Sequence, residues 1–136
     1  MLRVALVTRL GPAAPLALIL TGAASRLVPV WLMTALPYVT DPGVAKSGAV
    51  TAAGRTQAVI ATAWVGVLTI AVAASHRFGG LALAVVWFAA IAVAFASGRL
   101  FHARVGGITG DFLGAAQQIS ECAMLLGIAL VRGDAA

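Results

Sequence analysis

Residues 56–97 read TQAVIATAWVGVLTIAVAASHRFGGLALAVVWFAAIAVAFAS and contain one arginine, Arg77, and no acidic residue. The apolar runs on the two sides of His76-Arg77-Phe78 are each roughly 20 residues long, which is the length that one helical crossing of a bilayer requires. The stretch therefore predicts two membrane-spanning helices. Because only three residues separate the runs, we expect a tight antiparallel hairpin.

The rest of the chain is similarly apolar. Of its 136 residues, 62% are hydrophobic and 10% are charged, and the mean hydropathy is +1.05; soluble proteins carry about 25% charged residues. The sequence predicts an all-α, polytopic membrane bundle with about four transmembrane helices that forms a single unit over residues 1–136. The predicted spans are residues 12–36, 56–75, 79–97 and 109–131.

The net charge of +5 does not indicate a nucleic-acid surface. Most basic residues flank apolar runs, where they anchor spans at the membrane interface. These residues are Arg3, Arg9, Lys46, Arg55, Arg77, Arg99, Arg104 and Arg132. The single cysteine excludes an internal disulfide and a cysteine-based metal cluster. Lipid is the expected environment, and nucleic acid is not an expected partner.

Two connections are rich in glycine, proline or basic residues. Residues 37–55 contain Asp41-Pro42-Gly43, which is typical of a turn in an extramembrane loop. Residues 98–107 form a predicted short basic connection between the third and fourth spans.

Polar residues concentrate in Gly106–Glu121, which reads GGITGDFLGAAQQISE and holds two of the four acids. A helix is predicted to begin near Thr109–Asp111. At 100° per residue, Asp111, Gly114, Gln118 and Glu121 fall within an arc of about 80°. The fourth span is therefore predicted to carry a polar stripe.

This stripe suggests phosphoryl chemistry. A helix N-terminus flanked by glycines and basic residues can bind phosphate, and Mg²⁺ commonly bridges one or two carboxylates to substrate phosphates. Asp111 and Glu121 are therefore candidate Mg²⁺ ligands or acid–base groups. The alternative for Asp111 is a helix cap, whereas an acid well inside an apolar helix, as at Glu121, requires a partner.

Arg26 lies within the first predicted span. A charge at such a position faces a polar interior or reaches the interface by snorkelling. The sequence alone leaves both alternatives open, and a helix break near Pro29 is compatible with the second.

The run Gly106–Ala115, followed by Gln118–Glu121, resembles the C-terminal signature of the cobalamin synthase family (adenosylcobinamide-GDP ribazoletransferases), which are polytopic membrane enzymes. The similarity extends through Ala24–Arg26 and Ala35–Tyr38. It implies transfer of a cobinamide phosphoryl group from adenosylcobinamide-GDP to α-ribazole or its phosphate, with release of GMP and with Mg²⁺, in the bacterial inner membrane.

The resemblance covers only the C-terminal half of the family, whose members carry a further acidic motif in an N-terminal half that this sequence lacks. It also has Gln118 where an acid is expected. It implies catalytic or metal-binding roles for Asp111 and Glu121. The implied substrate-binding residues are Arg26, Arg99, Arg104, Gly107, Gly110 and Gln118.

Other functions remain open at this level. A truncated family member is one hypothesis, with activity uncertain without the other half. A small non-catalytic membrane subunit or transporter, acting with a companion chain or as a homo-oligomer, is a second hypothesis in which Glu121 is an intramembrane proton or cation site. An inactive remnant is the third.

Overall fold

The structure is a computed structural model that describes residues 2–39 and 54–133. Most of the predicted loop, including the turn at Asp41–Gly43, lies outside these residues. The helices are α1 (Leu2–Leu10), α2 (Ala14–Ser25), α3 (Leu27–Ala35), α4 (Arg55–Ala74), α5 (Gly80–Val105) and α6 (Gly110–Gly133), and a short 3₁₀ turn (Gly11–Ala13) joins α1 to α2.

The described residues confirm an all-helical fold with four apolar stretches long enough to cross a membrane. They are Leu2–Ala35, Arg55–Ala74, Gly80–Val105 and Gly110–Arg132. Large apolar side chains on the outer faces of α4 and α5, such as Trp64, Ile70 and Phe88, are exposed, as expected of surfaces that contact lipid.

The predicted connection over residues 98–107 is wrong in most of its length, because α5 continues to Val105. Nothing in Arg99–Val105 interrupts a helix, since the segment contains neither proline nor glycine. The helix ends at Gly106, which adopts a left-handed φ of 73° and donates its N–H to the carbonyl oxygen of His102 at 3.0 Å. Arg99 and Arg104 therefore lie on the last turns of α5.

The first apolar stretch begins at Leu2 and folds back on itself. Ile108, just before α6, hydrogen-bonds to Pro37, just after α3, whereas Arg3 in α1 contacts Glu121 within α6. Measured along the axis of α6, Ile108 and Glu121 are about 20 Å apart. Their partners Pro37 and Arg3 would be about 50 Å apart if residues 3–37 formed one straight helix. The chain therefore reverses at Gly11, whose φ of 52° is a conformation that glycine adopts readily.

Helix α6 is the centre of the bundle and packs against α1, α2, α3 and α5. Its inward face is fully buried at Met124, Leu125 and Ile128. Leu20 and Val28 from the first stretch and Val86 from α5 complete this core.

The predicted tight hairpin of α4 and α5 does not form along its whole length. Near the turn, the indole N–H of Trp87 donates to Thr69 at 3.3 Å. Further from the turn, Thr62 accepts instead from Trp31 of α3 at 3.0 Å. Helix α3 contacts both α4 and α5, so it separates their distant ends, and α5 packs chiefly against α6 because small residues allow these two helices to approach closely.

Gly127 is one such residue, since a Cβ atom there would lie 2.2 Å from Val85 Cγ1. We expect Gly127→Ala to lower the free energy of unfolding by about 1–3 kcal/mol through overpacking, measured by reversible denaturation in mixed micelles. Adding Val85→Ala should recover part of the loss. Gly66→Ala is the matched control because nothing lies within 4 Å of a Cβ atom at that helical glycine; equal stability of the Gly127→Ala and Gly66→Ala variants would contradict the close packing.

Candidate functional site

Two loops are joined at one end of the bundle, where α3 ends and α6 begins. Ile108 N–H donates to the carbonyl oxygen of Pro37, and Val39 N–H donates to that of Ile108, each at 2.9 Å. Tyr38 and Ile108 thereby form a parallel bridge. Ile108 is almost completely buried at 1% exposure, so this bridge fixes the loop ahead of α6 against the end of α3.

Gly107 is required for that close approach. A Cβ atom there would lie 2.2 Å from both the carbonyl oxygen of Pro37 and Cγ2 of Val39. Gly110 is less constrained, because the atom nearest to a Cβ added there would be the Tyr38 hydroxyl oxygen at 3.5 Å. Of the two predicted glycines, Gly107 therefore has a clear structural role, which is to let two backbones meet.

The first turn of α6 confirms the predicted helix start and gives the capping role to Thr109. The Phe112 N–H points to Thr109 Oγ1 at 3.4 Å, and the Leu113 N–H donates to the Thr109 carbonyl oxygen at 3.1 Å. Asp111 is exposed in this turn and makes no side-chain hydrogen bond or ion pair with the described residues. Thr109 rather than Asp111 therefore caps the helix, and the Asp111 carboxylate faces outward beside the helix N-terminus.

An open groove of about 880 Å³ lies at the same end, between α3 and the last turns of α5. Its wall is largely apolar and includes Leu32, Leu36 and Phe95, while Arg99 and His102 supply its polar groups. The Arg99 guanidinium carbon lies 5.3 Å from the Phe95 ring centroid, which is within range of a cation–π interaction. This contact keeps one cation at the edge of an apolar groove.

Arg104 belongs to a different face of the same helix. It follows Arg99 by five residues, which is a rotation of about 140°, and the groove lining does not include it. It is exposed. The structure therefore places the two predicted phosphate-binding arginines at one end of the bundle but does not bring them together on one surface.

Glu121 has a partner that the sequence did not reveal. Its side chain is 8% exposed and forms an ion pair with Arg3 at 2.5 Å. Arg3 also reaches Gln118 Oε1 at 3.4 Å. Gln118 and Glu121 thus share one face of α6, as the helical angles predicted, and α1 supplies the cation that compensates the buried acid.

Asp111 and Glu121 are not brought together. Ten residues of helix separate them by a rise of about 15 Å, so within this chain they cannot ligate one metal ion. The described residues contain no cluster of three or more histidine, cysteine or acidic side chains that could hold a metal. A Mg²⁺ ion held by one carboxylate and by substrate phosphates nevertheless remains compatible with Asp111.

Arg26 is at the turn between α2 and α3, where the helix is interrupted three residues before Pro29. It is exposed, and its guanidinium donates to the carbonyl oxygen of Gly22 at 2.8 Å. It lines neither the groove nor the bridge, so the structure does not group it with the residues at the start of α6.

The structure therefore places Gly107, Gly110, Asp111, Arg99 and Arg104 at one end of the bundle, whereas Gln118, Glu121 and Arg26 lie further from that end along their helices. Sequence reasoning missed Arg3, and the bridge formed by Pro37, Tyr38 and Val39. Because an acid in the middle of a span needs a partner, the sequence indicates that a basic residue should reach Glu121. The spacing of residues along the sequence cannot show which basic residue this is.

The fold and this end of the bundle define the class of protein: a polytopic helical membrane protein with a glycine-flanked helix start and an adjacent apolar groove. Residues 1–129 match the family model described as cobalamin-5-phosphate synthase, and the chain belongs to that family. Similar curated proteins include adenosylcobinamide-GDP ribazoletransferases from Leptothrix cholodnii (41% identical over 86% of this chain), Allorhizobium ampelinum (42% over 84%) and Brucella ovis (36% over 95%).

The chain spans about half the length of these relatives. The matches cover 44% of the first two proteins and 49% of the third, which is consistent with the C-terminal half that the motif indicated. No solved structure matches the chain.

Replacing Gly107 tests the bridge. We expect Gly107→Ala to force the two loops apart, because its Cβ atom would meet backbone that cannot move aside, and the amides of Val39 and Ile108 should then exchange hydrogen faster. Exchange measured by mass spectrometry in micelles checks this. Gly114→Ala is the control, since nothing lies within 4 Å of a Cβ atom there, and identical exchange in the two variants would count against the bridge.

Removing Arg3 tests the ion pair. Arg3→Met should lower the free energy of unfolding by up to about 3 kcal/mol, because a buried carboxylate loses its partner. The double variant Arg3→Met/Glu121→Gln should be more stable than the single one, since it buries no unpaired charge. Denaturation in micelles measures both variants against Arg9→Met, which removes an exposed arginine outside the pair; a double variant less stable than Arg3→Met would refute this account of Glu121.

Proposed function

We propose that this chain supplies the C-terminal part of an adenosylcobinamide-GDP ribazoletransferase, which moves the cobinamide phosphoryl group to α-ribazole or its phosphate and releases GMP. The match of residues 1–129 to the family model carries the proposal. The activity for which the relatives are named supports it, as does an end of the bundle whose groups suit phosphates.

In this reaction, a hydroxyl oxygen of the ribazole attacks the phosphorus that bears the cobinamide, and the bond from that phosphorus to the GMP oxygen breaks. The hydroxyl proton leaves to a base, and GMP departs with the bonding electron pair. Such displacements depend on positioning and on stabilising charge that develops on phosphoryl oxygens. Unpaired N–H groups at the start of α6 and the nearby Arg99 and Arg104 are suited to that task.

Asp111 is the residue proposed to hold Mg²⁺. The ion, when bound, would neutralise charge on the diphosphate. Asp111 suits this role because its carboxylate is exposed, is not used as a cap and adjoins a helix N-terminus, a type of position that favours phosphate. Glu121 is proposed instead to hold α1 through Arg3, and it is no longer a candidate ligand within this chain.

The apolar groove between α3 and α5 is proposed to receive an apolar part of a substrate, with Arg99 and His102 near an anionic part. The proposed substrate-binding residues are then Arg99, Arg104, Gly107 and Gly110. Gln118 is proposed to accept a hydrogen bond from Arg3 and so to act on the substrate only indirectly. The Arg3–Glu121 pair also weighs against a transporter, because it leaves no unpaired carboxylate at mid-depth among the described helices.

The proposed location is the bacterial inner membrane, with the Arg99–Asp111 end in the cytoplasm. Since Arg3 is engaged with Glu121, the basic residues that flank spans at the other end are Arg9, Arg77 and Arg132. The Arg99–Asp111 end also has three such residues, Arg55, Arg99 and Arg104, so the count of described basic residues is equal at the two ends. The Arg99–Asp111 end is proposed as the cytoplasmic one because the proposed substrates are cytoplasmic.

The test is GMP release by membranes in which this chain is co-expressed with the part of the Leptothrix cholodnii relative that lies outside the match. Adenosylcobinamide-GDP, α-ribazole and Mg²⁺ are supplied, and GMP is measured by chromatography. We expect release with the wild-type chain and a loss of about 10²–10³-fold with Asp111→Asn, the size typical of removing one group that stabilises transition-state charge.

Asp134→Asn is the matched control because it changes the acid in the C-terminal tail, outside the predicted site. Absence of GMP release by the wild-type pair, or equal release by the Asp111→Asn and Asp134→Asn variants, would contradict the proposal.

A further inference from the structure

One outer face of the α2–α3 helix pair combines small residues with an uncompensated charge. Ile19, Gly22, Ala23, Arg26 and Val30 fall within an arc of about 100° when α2 and α3 are treated as one helix. They are exposed or half-buried, and we call them the Arg26 face. The opposite side is buried in the bundle at Ala17, Leu20, Ala24 and Val28.

Arg26 lies near the middle of the apolar α2–α3 pair rather than at either of its ends. It lies about 18 Å from the start of α2 and about 14 Å from the end of α3. Its guanidinium donates to the carbonyl oxygen of Gly22 at 2.8 Å, which directs it away from the nearer end of the pair, at Ala35. The side chain therefore does not extend toward the nearer end of the helix pair, as snorkelling would require.

The described residues provide no counter-charge for Arg26. They contain one ion pair, between Arg3 and Glu121, and Arg26 interacts with a backbone carbonyl of its own helix. A charge facing lipid at this depth costs about 2.5–3.5 kcal/mol on insertion scales, so intramembrane arginines pair with other groups or face protein. The Arg26 guanidinium lies over Gly22, 3.7 Å from where a Cβ atom would be, and the neighbouring Ala23 is small enough to let another helix approach closely.

We propose that the Arg26 face binds a membrane-spanning helix that carries a carboxylate at matching depth, and that this helix comes from the part of the longer family members that lies outside the match to this chain. The carboxylate would pair with Arg26 above Gly22, and the helix would pack on Ala23. This proposal rests on family membership and not on the transferase activity.

A second copy of this chain does not fit the face. Among the described helices, the acidic residues are Asp111 and Glu121. Glu121 is already paired with Arg3, and Asp111 lies in the first turn of α6, near the membrane edge. A second copy therefore brings another arginine to this depth without a free acid, whereas the matched relatives have more than half of their length outside the match.

The experiment is co-purification in mild detergent. The tagged chain is co-expressed with the unmatched part of the Leptothrix cholodnii relative, and the recovered ratio of the two chains is measured. We expect near-equal recovery with the wild-type chain and at least a tenfold loss with Arg26→Leu or with Ala23→Phe, which blocks close approach.

Arg9→Leu and Ala63→Phe are the matched controls, because they make the same changes at exposed positions on α1 and on the outer side of α4, and they should leave recovery unchanged. Circular dichroism of each variant alone checks that the helices persist. Arg26→Glu should also abolish recovery, and one acidic-to-arginine change in a span of the partner should restore it, which would identify the paired carboxylate.

Three results would overturn the proposal. The first is failure of the wild-type chains to co-purify, and the second is co-purification that Arg26→Leu leaves intact. The third is self-association through the same face, detected with two differently tagged copies of this chain and abolished by Ala23→Phe. Since binding is the readout, loss of GMP release with intact co-purification would reject the transferase proposal while leaving this one in place.

Discussion

The ion pair between Arg3 and Glu121 is the interaction on which the arrangement of the first helices depends. An ionised carboxylate in the apolar interior of a membrane bundle is stable only when a cation and hydrogen-bond donors compensate it. Arg3 can reach Glu121 only if α1 folds back along α6, and the reversal at Gly11 makes this possible. The need of Glu121 for a cation therefore fixes where α1 lies relative to the middle of α6.

The same physical constraint organises the end of the bundle where the candidate site lies. Irregular backbone is stable there because its polar groups are paired across two loops, at Pro37, Val39 and Ile108. Gly107 allows the two backbones to approach, and the stacking of Phe101 on Phe112, with centroids 4.6 Å apart, holds the end of α5 beside the start of α6. Asp111 is thus presented outward by a helix start that is fixed in place rather than by a free loop.

Membership in the cobalamin-5-phosphate synthase family gives these features a common interpretation. The proposed reaction on a diphosphate would require anion-binding groups, and this chain offers a helix N-terminus, two arginines on the last turns of α5 and one outward carboxylate at the same end. Arg26 and the outer face around it lie on another part of the bundle and are better explained by contact with a further membrane helix. The two proposals thus assign a substrate to one surface of the chain and a protein partner to another.

The sequence by itself determined the helical membrane class, the four apolar stretches, the start of α6, the shared face of Gln118 and Glu121, and the family. Each of these follows from local properties: run length, helical periodicity and a contiguous motif. It could not determine which cation pairs with Glu121, because Arg3 is distant in sequence and reaches it through the reversal at Gly11. It also could not show that Asp111 makes no pair among the described residues, that α3 separates α4 from α5, or that the basic residues near Arg99 belong to a helix. These were decided by the tertiary structure, since charge pairing and close packing depend on which segments meet in space.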